Sequence, residues 1–482
     1  MTARIDGAAV PTDMFIGGQW VPADDRMPVL DPATGSVVAE VASGTAADMI
    51  RAVDAAAATG PGWAETVPRR RAEILRRAYE LMVEQAERLA RLIVIENGKT
   101  LADARGEVAY AAEFFRWYAE EAVRLDGTIG RGPSSGNRIL VMPQPIGVSL
   151  LVTPWNFPAA MATRKIGPAL AAGCSVVLKP ASDTPLTALA LAELLRSAGV
   201  PDGVVNVVPS RRASVVTSAA LADPRVRKLS FTGSTEVGRL LLREAAARIV
   251  NCSMELGGNA PFLVFDDADL DAAVEGALMA KMRNGGQACT AANRFYVHRA
   301  VAEEFVARFS AALGALTMGP GLQPDVRLGP LINASARDKV GELVEATVGA
   351  GAKVRAGGRR PDGDGFFYPA TVLTEVPDDA PVLTEEIFGP VAPVVAFDTE
   401  QEALALANGT EYGLVSYLFT GDLARGLRVA EQLESGMVGL NQGLVSEPAA
   451  PFGGVKQSGL GREGGHDGIA EFVEPKYVAA AW

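Results

Sequence analysis

The 482-residue chain has only three cysteines (Cys174, Cys252, Cys289) and two histidines (His298, His466). That is too few and too scattered for a disulfide framework or a zinc-type ligand set, so no metal is expected. No apolar stretch approaches the roughly 18 residues that a membrane-spanning helix needs. The N-terminus, MTARIDGAAVPTDMF, lacks the apolar core of a secretory leader, so a cytoplasmic protein is expected. There is no long Lys/Arg run, and 57 acidic against 45 basic residues leave a net charge of −12. This balance argues against nucleic acid or an anionic membrane as partner. It does not decide what a single pocket binds, because exposed charges are screened beyond about 8–10 Å in physiological salt.

What is present is a globular composition, 48% hydrophobic and 21% charged, which excludes a wholly disordered chain. At roughly 150 residues per domain, about three folding units are expected. The 51 glycines and 30 prolines are spread without a collagen-like period and point to many tight connections.

Short strand-like runs alternate with helical patterns. LVMPQPIGVSLLVTP (140–154) reads as strand, 159–172 as helix, CSVVLKP (174–180) as strand and TALALAELLRSAG (187–199) as helix. The strand VVNVVP (204–209), a helix, the strand KLSFTG (228–233) and the helix 236–249 follow. Repeated β-α-β units predict an α/β fold with a parallel sheet and right-handed crossovers. A second α/β series begins near APFLVFDD (260–267) and runs to about residue 440. Residues 127–145 read as a projecting hairpin and 469–482 as a strand. Their open edges predict assembly with another subunit.

Cys289, in RNGGQACTAANR, has glycines before it and polar residues around it. A free cysteine is more often a small buried hydrophobe than a nucleophile, and this setting strengthens the nucleophile reading without deciding between the two. Cys174 and Cys252 read as core. Glu255, in MELGGNAP, reads as a surface carboxylate in isolation. Flanked by Met254 and Leu256, it could instead be desolvated and lifted into general-base range. FTGSTEVG places Gly233, Ser234 and Gly238 between a strand and a helix, where backbone N–H groups bind phosphate. It is not G-x-G-x-x-G, so alone it is a weak signal. Lys179 stands at a strand end, where open α/β sheets bind ligands; otherwise it is a solvated lysine.

Taken in order, TPWNFP (153–158), LKPAS (178–182), FTGSTEVG (231–238), MELGG (254–258), GQAC (286–289) and EEIFGP (385–390) resemble the motifs of the aldehyde dehydrogenase superfamily across nearly the whole chain. Residues 437–464 are most similar to succinate-semialdehyde dehydrogenases. The resemblance implies a Rossmann-type cofactor domain (1–126 and 146–256), a catalytic domain (257–468) and a β oligomerisation extension (127–145 and 469–482) in a dimer or tetramer. It implies Cys289 as nucleophile, Asn156 as oxyanion donor, Glu255 as base, and Lys165 and Glu463 in proton relay or positioning. For the coenzyme it implies Trp155, Lys179 and Ser182 near the adenosine ribose. It also implies Ser234 at the pyrophosphate, in the same FTGSTEVG stretch as Gly233 and Gly238, and Glu386 and Phe388 near the nicotinamide ribose and ring.

Many NAD-dependent relatives carry Glu where Ser182 stands. Its loss removes repulsion of a 2′-phosphate, so NADP or dual use with NAD is expected, with Arg211 or Arg212 as helpers. The resemblance places Arg164, Arg283 and Ser446 as a clamp for a substrate carboxylate, and planar guanidinium forks suit that group. Succinate semialdehyde is the first expectation and glutarate semialdehyde the rival. Ala291 stands where some relatives have a second cysteine, so no redox-switch disulfide is expected.

Overall fold

The buried strand Val148–Val152 has apolar residues on both faces, with Ser149 as its one polar member. That is the pattern of a parallel strand covered on both sides. A computed structural model, which describes Met1–Trp482, places it inside an eight-stranded sheet. The strand order is Gly459–Leu460, Asn251–Glu255, Val226–Thr232, Val148–Val152, Val176–Lys179, Val205–Val207, Met14–Ile16, Gln19–Val21. The five strands from Asn251–Glu255 to Val205–Val207 run parallel. The outer strands pair antiparallel.

The second series forms a seven-stranded sheet in the order Lys353–Ala356, Thr371–Thr374, Val391–Phe397, Ala292–His298, Ala260–Val264, Val415–Phe419, Met437–Leu440. All its pairings are parallel except that of Lys353–Ala356. Only Leu256–Asn259 separates the strand ending at Glu255 in the first sheet from the one beginning at Ala260 in the second. The register Ala260↔Ala292 then draws the residues just before Ala292 to that crossing. Glu255 and Cys289, distant in sequence, are brought to one seam by this topology.

Three sequence expectations change in detail. Residues 140–154 are not one strand. Arg138–Pro145 and Val148–Val152 belong to different sheets, separated at Gly147, whose φ of +116° turns the chain. The tail strand Val473–Ala480 pairs with Arg138–Pro145 of its own chain, making a three-stranded sheet with Thr128–Arg131. Gly459–Leu460, expected with the second unit, instead closes the edge of the first sheet against Met254 and Glu255. A Cβ at Gly459 would lie 2.0 Å from the Met254 carbonyl oxygen, so glycine is required there.

Helices cover both faces of the first sheet. Pro158–Ala172 is buried at every position, including Arg164 and Lys165. Charged groups so placed need partners, and those partners define the site. No helix is long and apolar enough to cross a membrane.

Candidate active site

A cavity of about 260 Å³ opens at the seam between the sheets. Its lining includes Trp155, Asn156, Arg164, Gly233, Ser234, Arg283, Cys289, Glu386, Phe388 and Ser446 from the sequence-derived set. Tyr110, Phe157, Met161, Thr232 and Phe452, which are outside that set, line it as well. Phe157 and Phe452 lie inside motif stretches and were legible there. Tyr110 reads as one more aromatic on a helix, and no local signal marks it.

Cys289 sits three residues before the strand Ala292–His298, on a loop whose Asn284 adopts φ 51°. The loop lies against the inter-sheet crossing. A Cβ at Gly258 would meet the Cys289 carbonyl oxygen at 2.5 Å. Burial pushes the Cys289 thiol up to about 12, with Arg164 opposing and Glu386 and Glu255 adding to the rise. The protein's own groups therefore hold the sulfur as a thiol, and its ionisation needs added positive charge or a base.

Asn156 donates through Nδ2 to the Gln287 carbonyl at 3.0 Å, which ties it to the nucleophile loop. Its other amide hydrogen is left for a ligand. Glu255 does not line the cavity. It is buried at the end of its strand, and neither carboxylate oxygen has a hydrogen-bond partner. Burial raises its pKa well above the usual carboxylate range. Glu463 raises it further, while Arg164 and Lys165 pull it down.

Glu463 balances the two buried cations of the helix Pro158–Ala172. Lys165 Nζ bonds to Glu463 and, at 2.9 Å, to Ser230 Oγ. Arg164 Nε is 2.5 Å from Glu463 Oε2, in ion-pair contact but angled so that no hydrogen bond forms. The Glu463 carboxyl is held below its ordinary value; its own burial opposes this, but Arg164 and Lys165 outweigh it. Arg164 also lies 4.3 Å over the Phe452 ring. Arg283 Nη1 donates to Ser446 Oγ at 3.2 Å, so these two expected clamp residues meet in the cavity.

The remaining expected residues separate. Gly233 and Ser234 line the cavity at the start of the helix Thr235–Ala246, whose N-cap is Ser234. Gly238 lies one turn further on and packs against Leu256 rather than lining the cavity. Glu386 accepts the Gly258 N–H at 3.1 Å, and burial lifts it to about 7. Phe388 stands edge-on to Trp155, 5.4 Å between centroids. Lys179 is buried at its strand end and falls to about 8 through desolvation, with Asp183 opposing. Ser182 lies in a second cavity of about 250 Å³ with Glu96, Asp183, Arg211 and Asn333. Arg211 is paired there with Asp25, its Nε 3.0 Å from Oδ2. Arg212 is the N-cap of the helix Ala213–Ala222. Cys174 is buried and Cys252 half-buried.

Residues 20–478 match the aldehyde dehydrogenase family. A succinate-semialdehyde dehydrogenase of Paenarthrobacter nicotinovorans is 57% identical over 445 residues, 92% of this chain and 99% of the relative. A glutarate-semialdehyde dehydrogenase of Pseudomonas aeruginosa is 52% identical over 466 residues, 96% of each chain. The crystal structure of an NADP-dependent enzyme of E. coli superposes with a TM-score of 0.97 at 48% identity, covering 98% of both chains. The chain belongs to the aldehyde dehydrogenase family and is an oxidoreductase of that fold.

Proposed function

We propose that this enzyme oxidises a short aldehyde bearing a distal carboxylate, succinate semialdehyde first, to the corresponding acid, with NADP or NAD as coenzyme. The observation that carries the reading is the convergence of Arg164, Arg283 and Ser446 on the cavity that holds Cys289. An uncharged aldehyde would leave the Arg283 guanidinium without its anion in a partly desolvated pocket, which is costly. Glutarate semialdehyde is supported almost as well, since one methylene is worth only about 1–3 kcal/mol of discrimination.

The residues fit a nicotinamide dinucleotide. Thr232 Oγ1 is buried without a partner at the cavity wall, next to Gly233 and Ser234 at a helix N-terminus, where phosphate is favoured. Glu386 and Phe388 would hold the nicotinamide half, and Trp155, Lys179 and Ser182 the adenosine ribose. When bound, the coenzyme supplies a hydride acceptor.

The protein's part follows from its residues. Cys289, once ionised, attacks the aldehyde carbon, and the free amide hydrogen of Asn156 receives the developing oxyanion. Such a donor is worth about 3–4 kcal/mol in the transition state. After oxidation the acyl group is a Cys289 thioester. Glu255, raised in basicity and unpartnered, takes a proton from water to release the acid. Glu463 with Lys165 and Arg164 sets the field in which that proton moves.

We further infer assembly into a dimer or tetramer through the three-stranded sheet, where Ile129, Tyr477 and Trp482 stand exposed. The reading is tested by initial rates with succinate semialdehyde, glutarate semialdehyde and propanal, each with NADP and NAD. A preference for the two carboxylated aldehydes is expected. Equal or better rates with propanal would remove the clamp.

A further inference from the structure

The main-chain carbonyl of Asn156 accepts two hydrogen bonds from side chains that belong to distant parts of the sequence. Lys99 Nζ donates to it at 2.7 Å and Asn284 Nδ2 at 2.8 Å. Lys99 comes from the short connection between the helices Ala86–Asn97 and Leu101–Glu121, and Asn284 from the loop that carries Cys289. One residue earlier, Asn97 Nδ2 donates to the Trp155 carbonyl at 3.0 Å. One residue later, the Phe157 ring lies 4.0 Å beneath Lys99 Nζ. Three consecutive residues are thus gripped from the end of one helix, at Asn97, and from the connection that follows it, at Lys99.

Lys99 is itself held. Glu107 Oε2 is 2.6 Å from Nζ, and both side chains are fully buried. The other oxygen, Glu107 Oε1, accepts the N–H groups of Ala159 and Ala160 at 2.8 and 3.3 Å. Glu107 therefore ties Lys99 to the first turn of the helix that starts at Pro158 and carries Arg164 and Lys165. A buried ion pair is often no more stabilising than well-packed apolar side chains of the same volume. Its use here is explained by placement: an ammonium has three donors and can anchor a carbonyl and a carboxylate at once.

We propose that Lys99, held by Glu107, is a positioning residue for the oxyanion pocket. It acts through the Asn156 carbonyl to set the Asn156 amide against Cys289. The inference rests on the reading of Asn156 as oxyanion donor. Asn284 completes it from the loop that carries Cys289, so that the amide and the nucleophile loop share one anchor point. Misplacement of a preorganised donor by a fraction of an ångström weakens transition-state stabilisation while leaving ground-state binding largely intact.

The test uses the full-length enzyme with Lys99→Met. It reads kcat and KM for succinate semialdehyde, and the rate at which iodoacetamide alkylates Cys289, a reaction that develops no oxyanion. The expected result is a fall in kcat of about 10- to 100-fold, KM within about twofold, and an unchanged alkylation rate. Unchanged kcat, or alkylation falling in step with kcat, would overturn the proposal; the latter would mean a collapsed loop. Should Lys99→Met not fold, Asn284→Gly removes the other bond to the same carbonyl while tolerating the positive φ. It is expected to give the same split, and full kcat would again overturn the proposal. Asn156→Ala separates the two readings. If it lowers kcat while Lys99→Met and Asn284→Gly do not, positioning fails alone. If Asn156→Ala retains full kcat, the oxyanion assignment itself fails.

Discussion

Arg283 donates to Ser446 at 3.2 Å although 163 residues separate them in the chain. The contact presents a guanidinium and a hydroxyl together at the cavity, a donor set suited to a carboxylate. Hydrogen bonds to charged groups contribute about 1.5–3 kcal/mol each. Arg283→Ala is therefore expected to raise KM for succinate semialdehyde by roughly 10- to 100-fold. KM for propanal should change little, and parallel kinetics on the two aldehydes check this. Equal changes would count against the clamp.

Arg164 behaves differently because it has a second duty. It shares Glu463 with Lys165 inside the protein. Arg164→Ala should impair the carboxylated substrate as Arg283→Ala does, but should also destabilise the fold. Breaking one partner of a buried ionic group costs about 3–5 kcal/mol. Denaturant unfolding of the two variants should separate them, with only the Arg164 variant clearly weakened.

The Cys289 thiol, raised to about 12 by burial, is neutral at pH 7 in the absence of ligands. Its alkylation rate should keep climbing with pH instead of levelling near the ordinary thiol value of about 8.5. Arg164 favours the thiolate, so Arg164→Ala should shift the curve further toward alkaline pH. A plateau at neutral pH in the coenzyme-free protein would contradict this assignment.

Glu255 is raised by burial first and by the negative charge of Glu463 second. Glu463→Gln removes a like charge and leaves Arg164 and Lys165 without their counter-ion. Both changes favour the Glu255 carboxylate, so the base becomes available at lower pH. The acidic limb of the kcat profile should move to lower pH, measured where thioester hydrolysis limits turnover. A shift to higher pH would count against Glu255 as the base.

Ser182 faces a cavity that also holds Asp183 and Glu96, with Arg211 turned to Asp25. Ser182→Glu adds a carboxylate where a 2′-phosphate would lie. Coenzyme binding followed by fluorescence titration should show NADP weakened at least about tenfold more than NAD. An unchanged ratio would place the phosphate elsewhere.

The sequence by itself determined the class of fold and the chemical cast. Apolar strands such as Val148–Val152, alternating with helices that begin at Pro158 and Pro185, declare a parallel sheet because each carries its own periodicity and breakers. Motifs around Asn156, Glu255 and Cys289 were legible because glycines and polar residues interrupt otherwise apolar runs. Tyr110 and Lys99 were not, because an aromatic on a helix and a lysine in a connection look like ordinary core and surface until their neighbours are known. At Gly238 the motif marks a phosphate site, while the packing of Leu256 against it, which leaves no room for a Cβ, is legible only in the fold.

Only the tertiary structure decided which charges meet. The crossing Leu256–Asn259 and the register Ala260↔Ala292 bring Glu255 toward Cys289. The burial of a whole helix forces Arg164 and Lys165 onto Glu463, 298 residues from Lys165. Pairings of this kind depend on distance and dielectric in the folded state, and a linear pattern carries neither.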